Sequence, residues 1–85
     1  MNLSKNEQRV LHVLAQGGLI QIVRDDDGTL LAVDCVTRDG LLLGNCTVEV
    51  FRALKRKRLI GSHNGGPYRL LRSGRVAVRS QPDNR

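Results

Sequence analysis

An α+β fold with two β-hairpins around a central helix is predicted by three features of this sequence. Ser4 and Glu7 form a Ser-x-x-Glu capping signal, which opens an N-terminal helix. The pairs Asp27-Gly28 and Asn64-Gly65 each predict a tight hairpin turn, because glycine readily adopts positive φ. Thr47 precedes an apolar stripe and predicts the cap of the central helix. A helix followed by strand, turn and strand is typical of a winged helix-turn-helix, here with an extra N-terminal β-hairpin.

The first helix carries Val10, Leu11 and Leu14 at helical spacing and is predicted to end at Gly17-Gly18. A two-residue turn at Asp27-Gly28 then pairs Arg24 with Leu31. The same register pairs Ile22 with Val33 and Ile20 with Cys35. It gathers the apolar residues on one face and places Gln21 and Asp34 on the other, so it is favoured over a register shifted by one residue. The apolar face consists of Ile20, Ile22, Leu31, Val33 and Cys35.

The segment from Thr37 to Asn45 has no clear period. Asp39-Gly40 indicates a turn, and Leu41-Leu42-Leu43 is too short to distinguish helix from strand. In a winged helix this position holds the short helix that precedes the recognition helix. We therefore expect a short helix here.

The second half supplies the recognition helix and the wing. Val50, Phe51 and Leu54 form the apolar stripe after Thr47, and Asn64-Gly65 connects two short strands. A closing helix capped by Ser73 is expected after the wing, although the alternation of Val76 and Val78 fits a strand equally well, so residues 75–79 stay open. We expect one domain over residues 1–80 and a polar tail over residues 81–85.

Charge is distributed unevenly along the chain. Residues 1–44 hold four basic and six acidic side chains, whereas residues 45–85 hold ten basic and two acidic ones, within a net charge of +6. This asymmetry indicates a polyanionic partner for the second half, nucleic acid before anionic lipid, against the alternative of a merely solvated face. If the partner is nucleic acid, the predicted contact residues are Arg52, Lys55 and Arg56 on the recognition helix and Arg69 on the wing.

Catalysis, cofactors and metals are not indicated by the sequence. Cys35 and Cys46 match no ligand spacing and are expected to be two buried thiols, while His12 and His63 are isolated. No apolar run reaches the ~18 residues that a membrane span requires, and no secretory signal is recognisable, so a cytoplasmic location is expected.

Several short motifs resemble one family along the whole chain. They are Met1-Asn2-Leu3-Ser4, Leu11-His12-Val13-Leu14, Gly17-Gly18, Gly40-Leu41-Leu42-Leu43, Cys46-Thr47, Leu59-Ile60, Asn64-Gly65, Pro67-Tyr68-Arg69 and Asp83-Asn84-Arg85. Together they resemble the YjhX-like family of small bacterial proteins, described as toxins of toxin–antitoxin pairs. The sequence departs from the family at Gly44, where proline is expected, and at Leu71-Arg72-Ser73, where more polar residues are expected.

The resemblance implies a growth-inhibiting protein that inhibits bacterial DNA topoisomerase I and is opposed by an acetyltransferase-like antitoxin. It supplies no motif from which functional residues can be transferred. Two non-enzymatic functions therefore remain open: an inhibitor that binds a protein target, and a DNA-binding transcriptional regulator that uses the helix starting at Thr47 and the wing. The small core, with only Phe51 and Tyr68 as aromatic residues, is also compatible with a homodimer.

Overall fold

The computed structural model of the protein describes residues 2–44 and 46–79. They form three helices and one five-stranded sheet. The elements are α1 (Lys5–Ala15), β1 (Leu19–Arg24), β2 (Leu30–Val36), β3 (Leu42–Leu43), α2 (Val48–Arg56), β4 (Ile60–Ser62), β5 (Tyr68–Leu70) and α3 (Arg72–Arg79). All strand pairs are antiparallel, and the order is β3-β2-β1-β5-β4. The predicted α+β class is confirmed, while the predicted polar tail lies outside the described residues.

One face of the sheet carries the hydrophobic core. Ile20, Cys35 and Tyr68 point from neighbouring strands towards α1 and α2 and are buried. Side chains alternate between the two faces of a strand, so the residues between them point to the opposite face, which is largely exposed. The helices contribute Val10, Leu11, Leu14, Val50, Phe51 and Leu54, the residues of the two predicted stripes.

Both predicted helix starts are confirmed by their hydrogen bonds. The Glu7 backbone N–H donates to the Ser4 hydroxyl at 3.1 Å, and the Ser4 N–H donates to the Glu7 carboxylate at 2.9 Å. At α2, the Val50 N–H donates to the Thr47 hydroxyl at 3.2 Å. Each side chain thus satisfies a backbone donor that the helix itself leaves unpaired.

The ends of α1 and α2 share one geometry with different residues. At α1, Gly17 and Gly18 donate to the carbonyls of Leu14 and Val13, and Gly17 has φ +104°. At α2, Arg58 and Leu59 donate to the carbonyls of Lys55 and Leu54, and Arg58 has φ +60°. Both are Schellman motifs, in which glycine is the usual residue at the left-handed position. An arginine there costs roughly 1 kcal/mol relative to glycine.

The first hairpin follows the predicted register except beside its turn. Ile20 pairs with Cys35 and Ile22 with Val33, as predicted. The predicted pairing of Arg24 with Leu31 is wrong, because Arg24 pairs with Leu30 across a bulge. The loop has three residues rather than two: the Asp25 N–H donates to the Thr29 carbonyl at 3.0 Å, and the Asp25 carboxylate accepts the N–H groups of Asp27 and Thr29. Leu31 is the extra residue of the bulge, 58% exposed, and does not join the apolar face.

The predicted short helix before α2 is wrong, since a strand occupies this position. Thr37 closes a turn: its N–H donates to the Leu41 carbonyl at 2.7 Å, and its carbonyl accepts the Gly40 N–H at 2.9 Å. Its hydroxyl accepts the Leu41 N–H at 3.0 Å. Gly40 has φ +89°. This turn returns the chain antiparallel to β2, so that Leu42 pairs with Val36. The predicted helix α2 and the hairpin that follows it are formed, whereas the helix expected before α2 is not.

The second hairpin has the predicted turn. Asn64 and Gly65 have φ values of +56° and +75°, and the Gly66 N–H donates to the His63 carbonyl at 3.0 Å. Positive φ at both central residues is what a type I′ turn requires.

The open choice at residues 75–79 is resolved in favour of helix, as part of α3. Ser73 does not cap this helix as predicted, because it lies inside the first turn and its hydroxyl donates to the Arg58 carbonyl. Gly74 is buried, and a Cβ atom at this position would lie 2.4 Å from the Leu59 carbonyl oxygen. Only glycine therefore allows α3 to approach the Leu59 backbone so closely.

A partly buried ion pair connects α1 to the end of α2. The Lys57 ammonium lies 2.8 Å from the Glu7 carboxylate, whose side chain is 9% exposed, and also donates to the Asn2 carbonyl. Glu7 thus combines a capping role in α1 with a tertiary contact across 50 residues of sequence.

We expect Gly74→Ala to destabilise the protein. Alanine normally favours a helix over glycine by about 1 kcal/mol, but here the added methyl group collides with backbone. Displacing α3 is expected to lower the free energy of unfolding by roughly 1–3 kcal/mol, as overpacking does. The measurement is urea unfolding followed by circular dichroism. Gly44→Ala is the matched control, since a Cβ atom at Gly44 meets no atom within 4 Å. Equal stability of the two variants would contradict the close packing.

Lys57→Met is expected to destabilise the protein by about 1–3 kcal/mol, because it leaves a buried carboxylate without its cationic partner. Thermal unfolding measures the loss, for which a fall in Tm of at least ~4 °C is expected in a domain of this size. Lys5→Met removes the same charge from an exposed position of α1 and serves as the control. A comparable Tm for both variants would show that the Glu7–Lys57 pair contributes little.

Candidate nucleic-acid interface

The exposed face of α2 presents two of the predicted contact residues. Arg52 and Arg56 are four residues apart, on the side of the helix opposite the buried Val50 and Leu54. Four residues rise about 6 Å along a helix, so both guanidinium groups can reach one anionic partner. Glu49 is also exposed and is the acidic residue of this helix.

Lys55 lies at the flank of the same helix, over two aromatic rings. Its ammonium group is 5.7 Å from the centre of the Tyr68 ring and 6.0 Å from that of Phe51. The two rings meet edge to face, with centroids 4.9 Å apart. A cation at this distance is attracted by the ring quadrupole, which orients Lys55 towards the second hairpin.

Arg69 is separated from the other three predicted residues by the sheet. Tyr68 and Leu70 point towards the helices, so the side chain of Arg69 between them points to the opposite face. Its partner on β4 is Gly61. The structure therefore brings Arg52, Lys55 and Arg56 together on α2 and does not bring Arg69 to them. The four predicted contact residues therefore do not share one face, and their contact with nucleic acid stays a prediction.

Four further arginines are exposed in the second half, and sequence analysis did not select them. Arg72, Arg75 and Arg79 lie on α3, and Arg58 lies two residues beyond the end of α2. Spacings of three and four residues would have placed the first three on one helical face. That signal was masked because Val76 and Val78 fit a strand equally well. Arg58 gave no signal, since the sequence at the end of α2 lacks glycine.

The two cysteines are free and buried, as predicted. A hydrogen bond donated by the Cys46 thiol to Cys35, together with burial, raises the pKa of Cys46 far above its ordinary value. The same hydrogen bond lowers the pKa of Cys35, against the opposing effect of burial. Cys35 is nevertheless only 1% exposed, so a substrate cannot reach its sulfur.

Two shallow depressions lie on the surface of the described part of the chain. One lies between the first hairpin and the Asn64-Gly65 turn and is lined by Gln21, Ile22, Val23, Asp34, Gly65, Gly66 and Pro67. The other is lined by Val13, Gln16, Thr37, Arg38 and Asp39. Neither lining contains histidine or cysteine. Within residues 2–44 and 46–79, no three His, Cys, Asp or Glu side chains are grouped so as to hold a metal ion.

None of the helices in the described part of the chain is sufficiently long and apolar to cross a membrane. These features together define a small α+β protein with a strongly cationic second half.

Comparison with known proteins identifies the family. The family model described as "Putative toxin of bacterial toxin-antitoxin pair" matches residues 1–85. The UPF0386 protein of Caulobacter vibrioides is 59% identical over 85 residues, covering 100% of this chain and 93% of the relative. The UPF0386 protein of Rhodospirillum centenum is also 59% identical, covering 100% of this chain and 99% of the relative.

The chain belongs to the YjhX-like toxin family, as the sequence motifs indicated. Membership of a toxin–antitoxin family implies an antitoxin partner. No solved structure matches the chain.

If α2 contacts duplex DNA, replacing Arg52 and Arg56 together by Ala should weaken binding on all sequences. The slope of log K against log salt is expected to flatten by about 2, since each neutralised phosphate contributes roughly 0.9. Fluorescence anisotropy of a labelled duplex at several salt concentrations measures the slope. Arg69→Ala, on the other face of the sheet, is the comparison and should leave the slope unchanged. A slope that responds only to Arg69→Ala would assign the contact to the opposite face.

Proposed function

We propose that this protein is a non-enzymatic, cytoplasmic toxin that inhibits bacterial DNA topoisomerase I by binding to the enzyme. Family membership supplies the toxin class, and the resemblance to the YjhX-like family supplies the target. The antitoxin that the family implies is, in this proposal, an acetyltransferase-like protein.

The observation that carries the proposal is the contrast between the reactive groups and the cations. The thiols are buried, and the linings of the two surface depressions described above contain neither cysteine nor histidine. The cations, in contrast, are exposed along α2 and α3. A protein built in this way acts by occupying a site on its target, and its charges accelerate and orient the encounter.

A second candidate is a DNA-binding transcriptional regulator. It is favoured by the exposed Arg52 and Arg56 on a helix that is followed directly by a hairpin, which is the order of a recognition helix and wing. The strand β3 in place of the preceding helix counts against it, because a helix-turn-helix uses that helix to cross the DNA backbone. DNA binding is therefore proposed as an accessory activity.

The inhibitor proposal predicts slower relaxation of negatively supercoiled plasmid by purified topoisomerase I. Binding to the enzyme is stoichiometric with the enzyme, so the amount of protein that halves the rate should double when the enzyme is doubled. It should stay constant when the plasmid is doubled. A type IB topoisomerase acting on the same plasmid is the control for masking of DNA by a basic protein.

Inhibition that follows the plasmid concentration, or that affects both enzymes equally, would contradict the proposal and favour DNA binding. Retention of a protein target from nuclease-treated extract of the producing cell separates the two candidates independently. The regulator would lose its ligand on digestion, whereas the inhibitor would keep it.

A further inference from the structure

The exposed face of α3 is a stripe of three arginines. Arg72, Arg75 and Arg79 are all exposed and follow one another at spacings of three and four residues. The opposite face of the helix holds Gly74, Ala77 and Val78, which are buried or pack against the core. Packing of that face on α1 and β5 fixes which side of α3 points to solvent.

Arg58 lies beside the first turn of α3. The Ser73 hydroxyl donates to the Arg58 carbonyl, and the Leu71 N–H donates to the Leu59 carbonyl at 2.9 Å. The backbone of Arg58 is therefore in direct contact with the first turn of α3. Its side chain is exposed, so a second cationic group lies near the N-terminal end of α3.

Arg58 occupies a backbone position that suits glycine better. Its φ of +60° places it in the left-handed region, where the equivalent residue of α1 is Gly17 with φ +104°. The Schellman motif that ends α2 thus contains a strained arginine at the position where the motif that ends α1 contains glycine. Strained backbone positions concentrate at functional sites, where the role of the side chain outweighs the energetic cost of the conformation.

Carboxylates do not neutralise this region. No acidic residue occurs between Val50 and Arg79, and across the described residues the ion pair formed by this half of the chain is Lys57 with Glu7. We propose that Arg58, Arg72, Arg75 and Arg79, the α3 arginine surface, bind the phosphate backbone of duplex nucleic acid. This activity is independent of the proposed inhibition of topoisomerase I.

The dimensions and chemistry of the surface favour nucleic acid over other polyanions. Arg72 and Arg79 are separated by about 10.5 Å along the axis of α3, and about 10 Å of the axis of a DNA duplex carries three phosphates on each strand. Guanidinium groups bind phosphate oxygens in pairs, which a lysine cannot do. A membrane-bound helix needs a free apolar face, but that of α3 is occupied by the core, and Val76 is its exposed large apolar residue.

The experiment measures binding of the full chain to a fluorescein-labelled 20-base-pair duplex by anisotropy, between 50 and 200 mM NaCl. In the test variant Arg72, Arg75 and Arg79 are replaced by Gln, which preserves helix propensity. We expect the log–log salt slope to flatten by about 3, with affinity at 100 mM NaCl reduced at least tenfold. Replacing Lys5, Arg9 and Arg38 by Gln removes the same charge from exposed positions of the first half and is the control.

An unchanged slope in the test variant, or an equal loss in the control, would overturn the proposal. Tighter binding to a polyglutamate of matched charge, or to phosphatidylserine vesicles, with the same dependence on these arginines would assign the surface to an acidic protein or a membrane instead. Loss of duplex binding with inhibition of topoisomerase I intact would confirm that the two activities are separate.

Arg58→Gly keeps the test independent of folding, because it should change stability and binding in opposite directions. Removing the strain is expected to raise Tm by roughly 4 °C. Removing the guanidinium is expected to flatten the salt slope by about 1. A higher Tm with an unchanged slope would exclude Arg58 from the surface, and a lower Tm would contradict the strain argument.

Discussion

The backbone of Leu59 is the point on which the second half of the molecule depends. Its N–H ends α2 by donating to the Leu54 carbonyl, and its carbonyl accepts the Leu71 N–H just before α3. The same carbonyl oxygen lies so close to Gly74 that no side chain fits there. One residue thus determines where α2 stops, where the second hairpin begins and how near α3 lies. The side chain is 1% exposed, so this junction is also held by the core.

Features that depend on local chemistry were predictable from sequence, and features that depend on competition between neighbours were not. Ser4, Thr47 and the Asn64-Gly65 pair act through hydrogen bonds and φ values within a few residues, and all three were predicted correctly. The leucines at 41–43 have no period of their own, and the turn at Thr37 decides that they form a strand. Three aspartates before Gly28 allow more than one loop length, and the hydrogen bonds of Asp25 select the longer one.

The positions of the predicted contact residues on the fold could be read from the sequence only in part. Charge asymmetry located the cations in the correct half of the chain, and helical spacing placed Arg52 and Arg56 on one face. Strand alternation sends Arg69 to the opposite side, which no count of charges can reveal. Arg58 was missed because it occupies the left-handed position at a helix end, where glycine is the usual residue. The cationic half therefore consists of several surfaces with different directions, and each can be engaged separately.

Contact between the first and last helices has a consequence during protein synthesis. α1 packs against α3, although about 60 residues separate them, so this contact cannot form until α3 has left the ribosome. At a synthesis rate of roughly 5–20 residues per second, α3 follows α1 after several seconds. Until then the surface of α1 that α3 covers stays exposed. Under the function proposed above, binding to the target begins only after translation of the domain is finished.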